Sequence, residues 1–434
     1  MAFADEKLKK VREGKTKIVL ESADAPGQVL IRSKDRITAF NAERAHDVSG
    51  KARLSNLTNG KIFLFLESVG LKTHYVRQHS ETEFVAEKCE MIPLEWITRR
   101  LATGSFLKRH PGVKEGFKFS PPKVEITYKD DEQGDPIWSE EMVLSAGWIV
   151  GGVAIGRREL TMMEDVTRVV FEVLERSWAR LHCVLVDMKI EFGVNPSGEI
   201  VLADVIDSDS WRLWPSGDRR LQVDKQFYRD LPSDSITPEA LKKLKENFSW
   251  VEQQLTGFTV GPVGRVVVLM GSASDEGHAR KIESMLAELG VPTVLRVTSA
   301  HKSTVETLRI LAQYEGDGIP TVFIAVAGRS NGLGPVLAGN TCSPVINAPP
   351  VTADWGSCDI WSSLRLPSGL GCSTALSADA AALAAAACLA NQDHGLWCRL
   401  RMKHLHNRLA LAASDKLQPA GSQKKQTAVI NGAA

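Results

Sequence analysis

The chain has 434 residues, 43% of them hydrophobic and 24% charged, which is too long for one ordinary core and suits two or three globular domains. Its 53 Lys and Arg nearly balance 52 Asp and Glu, so no global field draws it to nucleic acid or to an acidic membrane, and any anion recognition is local. The first ten residues lack the apolar stretch of a signal peptide, and seven cysteines without a Cys-x-x-Cys pair argue for free thiols in a reducing compartment, with the cytosol as default.

Up to about residue 260, apolar residues alternate in short runs between long polar insertions. Residues 15–20 and 28–32, joined by the turn Ala25-Pro26-Gly27, read as strands of an antiparallel α+β domain. Glu13-Gly14-Lys15-Thr16-Lys17 opens the first of them, so Lys15 and Lys17 share a strand face. Two ammonium groups beside a glycine suit phosphate oxygens, and they also suit a solvated basic edge. Residues 92–105 read as helical in part. Arg99 there has a planar fork for a carboxylate or phosphate, Arg100 is its solvated helix neighbour, and Thr103-Gly104-Ser105 adds hydroxyl and backbone donors.

The run 185–193, Leu-Val-Asp-Met-Lys-Ile-Glu-Phe-Gly, carries a sharper pattern. Val186, Met188, Ile190 and Phe192 point to one face, and Asp187, Lys189 and Glu191 to the other. The turn Asn195-Pro196-Ser197-Gly198 returns the chain into 200–204, which sets Asp204 opposite or diagonal to Glu191. Two converging carboxylates near phosphate-binding lysines are what Mg²⁺ uses beside nucleotide oxygens; a surface strand of mixed charge is the alternative. The pair Met188-Lys189 is no biotin site, because a lysine among strand carboxylates is a poor base for a swinging arm.

A helix is predicted over 238–251, opened by Thr237-Pro238-Glu239. The Gly/Pro-rich stretch 256–264 follows, with the linker proper at 259–264. Beyond it the pattern becomes a regular alternation of strand 266–270, a helix with Ala279, Ile282, Met285, Leu286 and Leu289 on one stripe, strand 293–297, helix 305–314, strand 321–326 and a short strand 344–347. This predicts an α/β three-layer domain over 265–413, a parallel sheet with helices on both faces. Ligands in such sheets sit beyond the carboxyl ends of the strands. The loops that matter therefore leave Met270, Val297 and Val326.

The first loop, Gly271-Ser272-Ala273-Ser274-Asp275, is an anion site or an ordinary helix cap. The second, Thr298-Ser299-Ala300-His301-Lys302, offers a titratable imidazole beside a lysine or a structural histidine. The third, residues 327–335, holds Ser330 among so many glycines that close ligand approach is the natural reading. His301, Lys302 and Ser330 are expected to converge at one crevice. The apolar run 380–390 is too short and Ala-rich to span a bilayer, and residues 414–434 are polar, small and expected to be disordered.

On residues 92–105, 185–193, Glu13 to Lys17, Tyr128 to Pro136 and Asp207 to Arg212, the stretch from about 6 to 255 resembles the SAICAR synthetase family. That resemblance implies an ATP cleft between antiparallel sheets, with ATP, Mg²⁺, L-aspartate and carboxyaminoimidazole ribonucleotide as ligands. It implies that Lys15 and Lys17 hold ATP phosphates, that Glu191 and Asp204 bind the metal, and that Arg99, Ser105 and Arg212 bind the ribonucleotide. Asp187, Lys189, Lys129 and Asp135 would line the reacting region. Arg12 departs from the pattern, since an aromatic residue more often precedes Glu-Gly-Lys in that family.

Residues 265 to about 376 are similar to aminoimidazole ribonucleotide carboxylases that take CO₂ directly, on the Ala-His-Lys sequence and the Gly-Arg-Ser-Asn-Gly loop. The whole chain resembles the animal bifunctional family that carries both activities. The resemblance implies that Ser272, Asp275, Ser299 and Lys302 bind aminoimidazole ribonucleotide, that His301 shuttles a proton, and that Ser330 lies near CO₂, with neither ATP nor biotin needed for that step. It also implies a homo-octamer. Ser303-Thr304 stands where Gly-Pro is usual, and the Ala-rich segment beyond Thr374 diverges. A chain in which only the synthetase works, the second domain being an oligomerisation scaffold, is the alternative.

Overall fold

The computed structural model describes residue 3 and residues 7–40, 42–130, 132–259 and 261–415. These fall into two compact units: one runs to Phe258 and takes in the residues from Met402 onward, and the other spans Thr259–Arg401.

The first unit holds two large antiparallel sheets, beside the two-stranded pairs Arg36–Ala39 with Arg44–Asp47 and Ile149–Val150 with Val153–Ala154. In one, the order is Leu8–Glu13, Lys17–Ser22, Gln28–Ser33, Glu83–Glu87, Tyr75–Gln78. In the other, Ile137–Trp138, Lys118–Tyr128, Glu90–Leu101 and Cys183–Val194 lie side by side. Ile200–Ala203 and Trp211–Pro215 both pair with Cys183–Val194. The helix Arg157–Arg180 packs on the long strands, burying Leu160, Met163, Val166, Val170, Val173 and Leu174. That three-to-four spacing is a core-facing helical stripe, and Glu159 accepts the Gly156 N–H at its start. The predicted helix at 238–251 is Pro238–Gln254, with the Thr237 hydroxyl capping the Ala240 N–H and Pro238 at the first turn.

Two expectations fail here. Residues 14–16 turn between the strands Leu8–Glu13 and Lys17–Ser22; Lys15 lies in that turn while Lys17 opens the second strand, so the two do not share a strand face. The first strand is missed because all but one of its residues are exposed and it has no apolar alternation. Arg99 and Arg100 are not on a helix either. Both lie on the strand Glu90–Leu101, where Ile92, Leu94, Trp96 and Thr98 alternate into the core. Arg100 is engaged with Glu175 at 2.6 and 2.7 Å rather than merely solvated.

The second unit is one five-stranded parallel sheet in the order Thr293–Val297, Arg265–Met270, Thr321–Val326, Val345–Asn347, Ser373–Thr374. Alternate residues of Arg265–Met270 feed two separate cores. Val266, Val268 and Met270 pack with Ile282 and Leu286 of the helix Glu276–Glu288. Val267 and Leu269 pack with Ile310 and Leu311 of Thr304–Glu315 and with Leu337 of Leu333–Ala338. Helices thus cover both faces. The Ala-rich divergent segment is the helix Ala378–Leu389, which sends Ala381, Ala382, Ala385, Ala386 and Leu389 into the first of those cores. Its small side chains permit a close approach to the sheet.

No helix among the described residues is long and apolar enough to cross a membrane. Of the tail expected to be disordered, residues 416–434 lie outside the described residues, while Ser414 and Asp415 close the helix His394–Asp415.

Candidate active sites

In the first unit the two sheets border a cleft of about 940 Å³. Every candidate named on this half of the sequence lines it: Lys15, Lys17, Arg99, Ser105, Lys129, Asp135, Asp187, Lys189, Glu191, Asp204 and Arg212. The period of two in Cys183–Val194 aims Asp187, Lys189 and Glu191 into it.

Asp187 lies at the register position shared by Arg99 on one neighbouring strand and Arg212 on the other. Its Oδ2 accepts from Arg99 at 2.8 Å and from Arg212 at 2.5 Å. Arg99, only 1% exposed, also donates to Glu125 at 2.7 Å and to the Ser105 hydroxyl at 3.3 Å. Burial of these charges is tolerated because each has opposite partners in good geometry.

Deeper along the strand, Glu191 is 1% exposed and accepts from Lys189 at 2.5 Å and from Lys129 at 2.6 and 2.8 Å. Lys189 also meets Glu95 at 3.1 Å and Asp204 at 3.7 Å. The register Glu191↔Ala203 makes Asp204 diagonal to Glu191, as the spacing predicts. Asp204 meets Lys17 at 2.8 Å. Burial alone would raise its pKa, but Lys17, Lys189 and Lys129 hold it well below the usual carboxylate value. Burial would likewise lower Lys189, yet Glu191, Glu95 and Asp204 hold it well above the usual ammonium value.

Glu191 and Asp204 fit the divalent ion that the resemblance implies. Both present hard oxygens, and both contact the Lys189 ammonium, which stands between them as a cation already does. Among the described residues no cluster of three or more His, Cys, Asp and Glu of metal-holding geometry exists.

Sequence reasoning missed three cleft residues. His74 is buried beneath Asp204. Lys225 and Arg229 face the cleft one helical turn apart at Gln226–Asp230. Burial lowers the pKa of both, and so do the neighbouring charges of Arg212 on Arg229 and of Arg229 on Lys225. Arg212, Lys225 and Arg229 thus lie near one another, with Asp209 3.5 Å from Lys225. A basic pair at i, i+4 in a polar stretch was the available signal, and it is a common one.

In the second unit the loops after Met270, Val297 and Val326 leave adjacent parallel strands at the same rim. Ser272 caps the turn Ala273–Asp275 and its Oγ accepts from the Ser274 N–H; Asp275 precedes the helix Glu276–Glu288. Burial raises the Asp275 carboxyl. Ser299 Oγ accepts the Lys302 N–H at 3.3 Å, and Thr304 donates to the Ala300 carbonyl at 2.6 Å, so the unusual Ser303-Thr304 closes this turn with its own hydroxyl. The His301 ring rests against the third loop: a Cβ on Gly332 would lie 2.6 Å from its Nε2. Ser330 sits two residues before, at φ 51°.

The glycines of that third loop serve the fold itself. Gly328 faces Trp355, Gly332 faces His301, and a Cβ on Gly334 would fall 1.8 Å from Asn347 Oδ1. Asn347 is fully buried; it accepts from Asn331 at 3.0 Å and donates to the Ser363 carbonyl at 3.1 Å. Close approach is needed, but by the protein's own side chains rather than by ligand alone.

The SAICAR synthetase family model matches residues 10–244, and the AIR carboxylase family model matches residues 265–409. A human protein named bifunctional phosphoribosylaminoimidazole carboxylase/phosphoribosylaminoimidazole succinocarboxamide synthetase is 56% identical over 410 residues, covering 94% of this chain and 96% of that protein. Among solved structures, the phosphoribosylaminoimidazole-succinocarboxamide synthase of Ehrlichia chaffeensis superposes with a TM-score of 0.51 at 30% identity, covering 58% of this chain and 100% of that one. A SAICAR synthetase in complex with ADP superposes with a TM-score of 0.51 at 31% identity, covering 57% of this chain and 98% of that one.

Proposed function

The chain belongs to the family of bifunctional AIR carboxylase/SAICAR synthetases, and on that premise we propose which of its residues run the two reactions. It is an enzyme with a SAICAR synthetase, a ligase, in the first unit and an AIR carboxylase in the second. The second carboxylates aminoimidazole ribonucleotide with CO₂, without ATP or biotin. The first joins that product to L-aspartate at the expense of ATP.

In the synthetase, a carboxylate oxygen of carboxyaminoimidazole ribonucleotide attacks the γ-phosphorus of ATP and the bond to ADP breaks. The aspartate amine then attacks the acyl phosphate carbon, phosphate leaves, and the amine loses its extra proton. Lys15 and Lys17 hold the ATP phosphates. Arg99, Ser105 and Arg212 hold the ribonucleotide, joined by Lys225 and Arg229, whose crowded positive charge suits its phosphate. Asp187, Lys189, Lys129 and Asp135 line the reacting groups. Glu191 and Asp204 would hold Mg²⁺, which neutralises phosphate charge when bound. The observation that carries this reading is the convergence of these residues on one cleft.

In the carboxylase, Ser272, Asp275, Ser299 and Lys302 hold the ribonucleotide at the strand rim. Its ring carbon bonds to the carbon of CO₂ near Ser330 and then loses its proton to His301. The contact of His301 with Gly332, two residues from Ser330, supports the shared crevice.

The domain limits 1–258 and 265–413 with linker 259–264, a cytosolic setting and a homo-octamer are part of the same proposal, and sedimentation of the full chain tests the last. The functional test is an assay of each half reaction on the purified chain, varying bicarbonate and aspartate independently. Amide formation without carboxylation would leave the second unit as a scaffold.

A further inference from the structure

We propose that His74 is a positioning residue of the synthetase, fixing the backbone at Asp204 so that the Asp204 carboxylate is presented to the metal and phosphates. This rests on the reading that Asp204 is a metal ligand.

Asp204 is a non-glycine residue at φ 59°, a left-handed conformation that a side chain holds only when its surroundings enforce it. His74 holds the chain at the Asp204 carbonyl and two residues earlier at Leu202. Its backbone N–H donates to the Leu202 carbonyl at 2.9 Å. Its Nε2 lies 2.8 Å from the Asp204 carbonyl oxygen, and because a carbonyl only accepts, Nε2 carries the proton. One residue thereby holds the peptide that leaves Asp204 and, one peptide further back, the Leu202–Ala203 peptide that leads toward it.

His74 is itself held firmly. The Glu87 N–H donates to its carbonyl at 2.7 Å. Its ring packs against Phe63 with centroids 5.5 Å apart and edge-on to Phe84 at 5.8 Å. It is 3% exposed. A residue needed only to fill this space between Phe63 and Phe84 would be apolar; the imidazole adds one N–H, and that N–H goes to Asp204.

The test uses the full chain with His74→Phe, His74→Gln and Asp204→Asn. Two quantities are read: the Mg²⁺ concentration that half-saturates amide formation, and Mn²⁺ binding in the presence of ADP by water-proton relaxation. The urea midpoint of the first unit serves as the folding control. Phenylalanine keeps the ring and loses the donor; the glutamine amide reaches the Nε2 position. The expected result is an ion affinity weakened about tenfold to a hundredfold by His74→Phe and restored to near wild type by His74→Gln. If phenylalanine does not fold, His74→Asn, whose amide falls short of the carbonyl, replaces it in the comparison. Ion binding unmoved by the donorless variant while Asp204→Asn weakens it overturns the inference alone. Equal losses in both the donorless and glutamine variants overturn it too, by reducing His74 to packing. Ion binding unmoved by Asp204→Asn overturns the inference together with the metal reading beneath it.

Discussion

Lys17 and Asp204 are 187 positions apart in sequence, yet the lysine Nζ lies 2.8 Å from the aspartate Oδ1. Lys17 begins a strand of the five-stranded sheet and Asp204 follows a strand of the six-stranded one. The contact therefore joins the two walls of the cleft at the place where ATP phosphates and metal are proposed to sit.

Glu191→Ala tests that placement. It removes the carboxylate shared by Lys129 and Lys189, and amide formation should fall by about a hundredfold or more while carboxylation stays at wild-type rate. Steady-state assay of both half reactions on one preparation decides it. Near-normal amide formation would take Glu191 out of the metal site.

Asp187→Asn removes the one negative charge lying between Arg99 and Arg212. Leaving two buried guanidinium groups facing a neutral amide should destabilise the first unit by about 3 kcal/mol, read as a shift in the urea midpoint. A loss below about 1 kcal/mol would mean that Glu125 and Gln226 satisfy the two arginines without it.

His301→Asn keeps a hydrogen-bonding side chain and abolishes titration. Carboxylation should slow by about a hundredfold or more, with ribonucleotide still bound and amide formation unchanged. Product formation from bicarbonate measures it. Wild-type carboxylation would assign the proton transfer to another group.

Gly332→Ala and Gly334→Ala separate positioning from packing. The first pushes on the exposed His301 ring, which can swing away, so stability should hold while carboxylation falls about tenfold to a hundredfold. The second drives a methyl into the buried Asn347 amide and should cost about 2 kcal/mol of stability. Thermal unfolding and carboxylation rate, measured on both, should give opposite patterns.

Residue pattern made the second unit legible because its central strands Arg265–Met270 and Thr321–Val326 are buried on both faces and the helix Glu276–Glu288 carries a clean stripe. The strands at 293–297 and 321–326 stand where apolar runs put them. The Asp187, Lys189, Glu191 alternation was equally open, since the strand keeps its period of two between the register shifts that flank these residues. The strand Glu90–Leu101 hid behind a proline and a charged end, though Ile92, Leu94, Trp96 and Thr98 spell the alternation plainly. The strand Lys118–Tyr128, with Pro121 and Pro122 inside it, was not legible at all, because proline argues against a ladder. His74 gave no signal, because its importance lies in one hydrogen bond to a residue 130 positions away.

At the floor of the first cleft, Lys17, Lys129 and Lys189 face Glu95, Glu191 and Asp204, so the resting charges cancel within the fold. On the proposed reading, arrival of a metal nucleotide would have the form of a metathesis between two salts: lysines would leave carboxylates for phosphates, and carboxylates would leave lysines for the metal. Either exchange alone would strand buried charge. If the proposed metal site is right, nucleotide and metal are expected to enter this cleft as one complex rather than one after the other.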